Sequence, residues 1–430
     1  MSKFRQGALC ILIATAFAGG AIAAPCSGPQ ADAQAITPGT PLTLDIVLEQ
    51  VRGASPDVRR AALESQARKA DSVQAGRGFN PSIGLEVENF SGSGPLAGFD
   101  QSETTFSIEQ TFQLGGKRSK RQQAAQANAT LGAAECAVIL RETELEAALL
   151  LYDLLAASQV AGLAEQAADL ADTLLETVSK RVEAGAAAPP EQSRAHADAA
   201  ALRAAVYQAR AAVEQKRYDL AALWGSSEPR FALPDIDRTA LSEPRAGGRR
   251  EETHPQIAMA AASESARRAE RDVARASLMP DLTVSAGIRQ FEESGENAFL
   301  VGVRVPVPLF DQNRDAARAA GYRVDAERLN RLAVEAKLLA SQRAAVAQVR
   351  AARERLTLLE DAALPAARSA YDASVQGYAA GKFDLTTTLD ARKGLIEASM
   401  AVIAANRDLN AESLRLRSII GAAPFDGDFQ

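Results

Sequence analysis

Histidine occurs only twice in this 430-residue chain, methionine four times, tryptophan once and cysteine three times. His196 and His254 stand about sixty residues apart and in no ligand spacing, so a metal centre or a histidine-activated nucleophile has too little to be built from. Four Met and two His make no evident soft-metal relay. Positive charge is also scarce. Lys and Arg number 48 against 54 Asp and Glu, a formal charge of -6, which suits nucleic acid poorly. Past the N-terminus, no stretch reaches the ~18 uninterrupted apolar residues of a membrane helix. The most apolar helical region, 147–171, is broken by Asp153, Gln159 and Glu165. A helical membrane protein is excluded on this reading, but a β-barrel is not, because its strands leave a weaker hydropathy trace. Gly115-Gly116-Lys117-Arg118-Ser119 lacks the earlier glycine of a phosphate loop, Thr111 standing in its place. Neither an enzyme nor a cofactor is expected.

What is present begins with a secretory leader. Lys3 and Arg5 precede an apolar run over 8–18 and the small residues Ala21-Ile22-Ala23, which predicts a signal peptide over 1–23. Removing it leaves a more acidic chain that retains Cys26 and Cys136. Pro25 stands where lipid attachment to Cys26 would want a small residue, so acylation is not expected. An oxidising compartment permits Cys26 and Cys136 to pair; two unlinked thiols are equally compatible with the sequence.

The mature chain is written twice. Ser55-Pro56-Asp57 is echoed by His254-Pro255-Gln256 and Asn80-Pro81-Ser82 by Met279-Pro280-Asp281. Leu114 is echoed by Leu309, Glu183-Ala184-Gly185 by Ala379-Ala380-Gly381, and Trp224-Gly225 by Ile420-Gly421. The offset stays within a few residues of about 196, the signature of a tandem duplication. The expected organisation is a first repeat over 24–225, a Pro- and Gly-rich connector over 226–255, a second repeat over 256–421 and a tail over 422–430.

Each repeat reads as helix, strand, strand, very long helix, helix. Hairpins are expected over 80–114 and 281–309, because apolar and polar residues alternate there. Ile83, Leu85, Val87, Phe106, Ile108 and Phe112 form one face of the first, and Ile288, Phe299, Val301, Val303, Val305 and Val307 continue it in the second. Glu86, Glu88, Glu109, Arg289 and Arg304 take the opposite face. Eight of the 14 Phe lie in or beside these strands, which suits lipid contact. Helical hairpins are expected over 117–224 and 315–420. The first has a proline-free arm of about 100 Å at 1.5 Å per residue, and the second has a kink at Pro365. The fold class is therefore mainly α with a small membrane β-barrel portion.

Four strands cannot close a barrel, and open edges in lipid leave backbone groups unpaired at several kcal/mol each. The chain is expected to oligomerise, and closure alone permits a dimer of eight strands or a trimer of twelve. The polar strand face then lines a wet lumen. Lys117, Arg118, Lys120 and Arg121 fall where the strands leave the bilayer, either touching lipid phosphates or forming a solvated turn.

The junction Gln113-Leu114-Gly115-Gly116-Lys117-Arg118, its counterpart Val307-Pro308-Leu309-Phe310-Asp311-Gln312-Asn313, and the turn Tyr378-Ala379-Ala380-Gly381-Lys382-Phe383-Asp384-Leu385 with Leu389-Asp390-Ala391 resemble the TolC-type outer-membrane factors of tripartite efflux pumps. Within them the likeness is greatest to the cation-efflux, CzcC-like branch. The resemblance covers essentially the whole mature chain. It implies a homotrimeric α/β-barrel tube in the outer membrane with a long periplasmic extension, a periplasmic adaptor and an inner-membrane pump of the resistance-nodulation-division class. Arg181, Gly185, Gly381 and Lys382 become candidates for adaptor docking. Asp390, about two and a half helical turns past Gly381, becomes a candidate constriction. The sequence departs from the family where Thr387 replaces a first acidic position and Gly377 stands opposite Arg181. The alternative is that Asp390 pairs with Arg392 or Lys393. The rival to a duct is a periplasmic coiled-coil scaffold or adaptor, but an adaptor has one helical hairpin and a strand-rich soluble domain.

Overall fold

The computed structural model describes Cys26, Gly39, residues 41–233, residues 254–421 and Phe425. The expected signal peptide, residues 234–253 of the connector and all of the tail but Phe425 lie outside the described residues.

Two short helices open the first repeat, α1 (Leu44–Ala54) and α2 (Pro56–Ala75). Thr43 caps α1 by accepting from Ile46 N, and Pro56 starts α2 at the position where a missing N–H costs nothing. Strands β1 (Ser82–Glu88) and β2 (Glu103–Phe112) follow, then α3 (Lys117–Glu183), 67 residues long, and α4 (Pro189–Ala222). The second repeat runs α5 (Pro255–Ala276), β3 (Leu282–Phe291), β4 (Asn297–Arg304) and α6 (Arg314–Leu358). A π-turn (Leu359–Ala363) leads into α7 (Leu364–Ala379), and α8 (Leu385–Ile420) closes it.

Two details differ from the sequence reading, and the expected break at Pro365 takes a particular form. Strand β4 stops at Arg304, so Val305 and Val307 lie beyond it: Pro306 and Pro308 bring no N–H to a ladder. The second long arm is interrupted, because Pro365 cannot donate to the helix and the preceding turn widens to π geometry. Finally, an 18-residue window of α3 reaches a mean hydropathy of 1.6, apolar enough by length and composition to cross a membrane. In the structure that helix is a spine for its neighbours instead. Leu140, Ala147, Leu151 and Leu154 cluster with Val47 and Val51 of α1 and with Val213 and Leu220 of α4. One face over, Ala148, Tyr152 and Leu155 pack on Leu414 of α8 and on Phe425.

The strands form one antiparallel sheet in the order β1-β2-β3-β4, with the seam between repeats at β2–β3. Leu85, Phe106, Ile288 and Phe299 stand in register across all four strands, as do Ile83, Ile108, Ala286 and Val301. The apolar face is open: Ile83 and Leu85 are 70% exposed, Phe299 85% and Val301 81%. A face this apolar and this exposed is stable against lipid, not water.

Cys26 and Cys136 are joined by a disulfide, both buried against Ala61 and Ala62 of α2. The bond ties Cys26 to the first third of α3.

Candidate functional site

On the polar face of the sheet, Arg289 is a hub. Its Nε donates to Thr105 Oγ1 at 2.9 Å, Nη1 to Glu103 Oε2 at 2.7 Å and Nη2 to Glu88 Oε2 at 2.9 Å. One guanidinium on β3 thus braces β1 and β2 at the end of the sheet farthest from the long helices. Glu103 was not singled out by the sequence, since its role depends on a partner 186 residues away. Glu86 and Arg304 are exposed and Glu109 is half-buried on the same face. The five charged residues assigned to this face therefore share it, and Arg289 joins one of the others, Glu88, directly.

The basic residues at the start of α3 are engaged within the chain. Lys117 Nζ lies 2.8 Å from Asp281 Oδ1 and Lys120 Nζ 3.8 Å from Asp272 Oδ2, both in the second repeat. Arg118 donates to Gly76 O, and Arg121 to Ala75 O and Arg77 O, so both satisfy carbonyls at the C-terminal end of α2.

At the far end of the long helices, the two hairpin turns face each other. Gly185 and Gly381 take φ of 70° and 72°, where a side chain is strained, and each ends its helix. Lys382 N bonds Gly377 O at 2.8 Å, just as Ala186 N bonds Arg181 O at 2.7 Å. Gly377 replaces an arginine there because the Phe383 ring occupies the space that a Cβ would need. Lys382 is exposed.

Arg181 reaches from the first turn into the second. Its Nη1 donates to Tyr378 O and, at 3.3 Å, to Ala379 O, and its Nη2 donates to Ala186 O at 3.2 Å. The guanidinium also stacks 4.7 Å from the centre of the Tyr378 ring. Tyr378 is buried with Leu174, Val178, Leu385 and Leu389 and donates its hydroxyl to Glu191 Oε2 at 3.0 Å. Burial and that carboxylate push its pKa up to about 12, so it remains a neutral donor. Further along, Arg194 Nη1 donates to Thr386 Oγ1 at 2.9 Å, and buried Arg392 on α8 bonds Asp198 on α4. Asp384 caps α8 through Thr387 N, and hydrogen bonds from Thr387 hold its carboxyl below the usual range.

Asp390 is exposed on α8. Arg392 is committed to Asp198, and Lys393 lies 3.8 Å from Glu397, so both basic neighbours of Asp390 have other carboxylate partners. Sequence reading missed Tyr378, Glu191 and Asp198 as site residues. The only available signal was the tyrosine three residues before the turn glycine.

The histidines lie apart. His254 caps α5, its Nδ1 accepting from Gln256 N at 3.2 Å. Burial and nearby Arg141 depress its pKa to about 4, so it is a neutral cap. Among the described residues, no group of three or more His, Cys, Asp or Glu is placed to hold a metal ion.

The turn geometry carries a prediction. Gly381→Val places a β-branched residue at positive φ, which strains the turn while leaving the sheet untouched. If the chain is the outer-membrane duct that its sequence resembles, export falls in the variant while the amount of protein in the membrane is unchanged. Normal export by the variant would remove any role for the shape of this turn.

The family model described as "outer membrane efflux protein" matches residues 47–226 and 249–422. The cobalt-zinc-cadmium resistance protein CzcC of Cupriavidus metallidurans is 30% identical over 365 residues, covering 83% of this chain and 85% of that one. The nickel-cobalt-cadmium resistance protein NccC of Alcaligenes xylosoxydans is 29% identical over 306 residues, covering 71% and 70%. Among solved structures, the outer membrane protein VceC of Vibrio cholerae superposes with a TM-score of 0.74 at 20% identity, covering 88% of this chain and 96% of that one.

Proposed function

Since this chain belongs to the outer membrane efflux protein family, we propose that three copies of it close a single tube that delivers heavy-metal cations to the exterior. The outer-membrane location and the efflux role follow from the family; the trimer, the cargo and the roles of individual residues are our reading. The observation that carries it is the sheet itself: four strands, an exposed apolar face and two open edges, which lipid forbids unless further strands complete a barrel. Three copies supply twelve strands. The relatives named for cobalt, zinc, cadmium and nickel resistance support a cation cargo.

A periplasmic adaptor and an inner-membrane pump of the resistance-nodulation-division class complete the system, and the exposed turns around Gly185, Gly381 and Lys382 are where an adaptor would dock. Arg181 contributes there as a brace between the turns, since its hydrogen bonds run inward. The lumen would be lined by Glu86, Glu88, Glu109, Arg289 and Arg304.

Asp390 forms the constriction in this reading. Three carboxylates brought round one axis repel by ~1 kcal/mol per pair at 4 Å in water, and by more where water is scarce, so a cation between them is favoured. The exposure of Asp390 and the prior engagement of Arg392 and Lys393 support this. The test is bilayer conductance with divalent cations added on the periplasmic side. Wild type should be blocked and Asp390→Asn should lose the block; equal block in both would place the constriction elsewhere.

A further inference from the structure

We propose that the loop 305–310 between β4 and α6 seats on the link 79–82 between α2 and β1 of a neighbouring copy of this chain. The proposal rests on the oligomer described above and names a contact within it. It starts from a contact that the chain makes with itself. The junction between β2 and α3 lies against the link between α5 and β3: a Cβ placed on Gly115 would come within 3.1 Å of Met279 Cβ and 3.4 Å of Ala276 O, and Lys117 pairs with Asp281.

The duplication requires a second contact of the same kind. The β4–α6 junction corresponds to the β2–α3 junction, and Asn80-Pro81-Ser82 corresponds to Met279-Pro280-Asp281. Within one chain these two pieces cannot meet, because β1 and β4 are opposite edges of the sheet. Between copies they can. Strand β4 runs towards the long helices and β1 runs away from them, so β4 beside the next copy's β1 is antiparallel, like every other pair in the sheet. The loop leaving β4 is then carried directly onto the residues entering that β1.

The side chains fit such a seat. Val307 is 72% exposed, Leu309 71% and Phe310 99%, an apolar run left largely open, whereas the equivalent part of the first repeat is Leu114-Gly115-Gly116. Bulk has changed sides. Within the chain a glycine meets a methionine; between copies Phe310 would meet the smaller Asn80, beside Phe79, which is itself 52% exposed. The ion pair has gone as well: the positions of Lys117 and Asp281 are taken by Arg314 and Ser82, so apolar contact replaces charge. The open faces continue down the helices, with Leu329 of α6 and Val73 of α2 both above 60% exposed.

The test uses the full-length chain in outer membranes, carrying Asn80→Cys and Phe310→Cys together. Oxidation should give bands of two and three chain masses that reduction removes and that neither single variant yields. Native mass spectrometry of the unoxidised protein measures the oligomer separately, and a benzophenone side chain at position 310 reports what lies there. Adducts with residues 79–82 of another chain support the seat. A native trimer without linked bands, with benzophenone adducts to lipid alone, overturns the seat and leaves the oligomer standing. A monomer overturns both.

Discussion

Val303→Arg is expected to abolish assembly into the outer membrane. Val303 is 67% exposed on the apolar face and stands in register with Val284, one pair in from the end of the β3–β4 ladder nearest the long helices. An arginine facing lipid costs ~2–4 kcal/mol per chain at the midplane and less toward the interfaces, and a symmetric tube incurs that cost in every copy at once. Ser107→Arg is the control, because Ser107 lies on the other face, in register between Gly84 and Gly287, where neighbouring side chains leave room and water is available. Gly302 is a poor control despite lying on that same face: a Cβ there would come 2.5 Å from Ser285 Oγ, so steric strain would be confused with burial of charge. The measurement is the amount of heat-modifiable oligomer in outer-membrane fractions. Loss for Val303→Arg with retention for Ser107→Arg is the expected result; equal retention would mean that the apolar face does not meet lipid.

That face was legible in the sequence because strand periodicity is local. Ile83, Leu85, Phe106, Ile108, Phe299, Val301 and Val303 each announce their side by their nearest neighbours. The long helix α3 was legible for the same reason: apolar steps of three and four, no proline, and a glycine at its end. The positive φ of Gly185 and Gly381 could be anticipated, since each follows a helical run and precedes a new one. What could not be read were contacts between repeats. Arg289 finds Glu103, Arg181 finds Tyr378 and Arg392 finds Asp198 across gaps of 186, 197 and 194 residues, and nothing near any of them in the chain names its partner. The same limit explains the basic turn. Lys117, Arg118, Lys120 and Arg121 look like a surface cluster in sequence, and only the packing of α3 on α2 and α5 converts them into caps and cross-repeat ion pairs.

Arg392 matters most among those cross-repeat contacts, because it is the charge with the least access to water. Its side chain is 3% exposed, its Nε and Nη1 have no hydrogen-bond partner among the described residues, and one bond from Nη2 to Asp198 holds it. Burial also raises the pKa of nearby Tyr371, opposed by the Arg392 charge, so the surroundings are poorly solvated on the α7 side as well. Asp198→Ala would leave this guanidinium buried and unpaired, a change that typically costs ~3–5 kcal/mol. Asp198 is about one-third exposed, which places the expected cost at the lower end, about 3 kcal/mol. Since the pair links α4 to α8 above the turns, the loss should appear as faster proteolysis within the distal helices and as ion leakage through a tube that is otherwise correctly inserted. The double variant Asp198→Ala with Arg392→Met removes both charges and fills the space with an apolar side chain, so it should recover most of the protease resistance. If Asp198→Ala is already as resistant as wild type, the pair contributes nothing to holding the helices together. If the double variant is no better than the single one, the damage comes from packing around α4 rather than from a stranded charge.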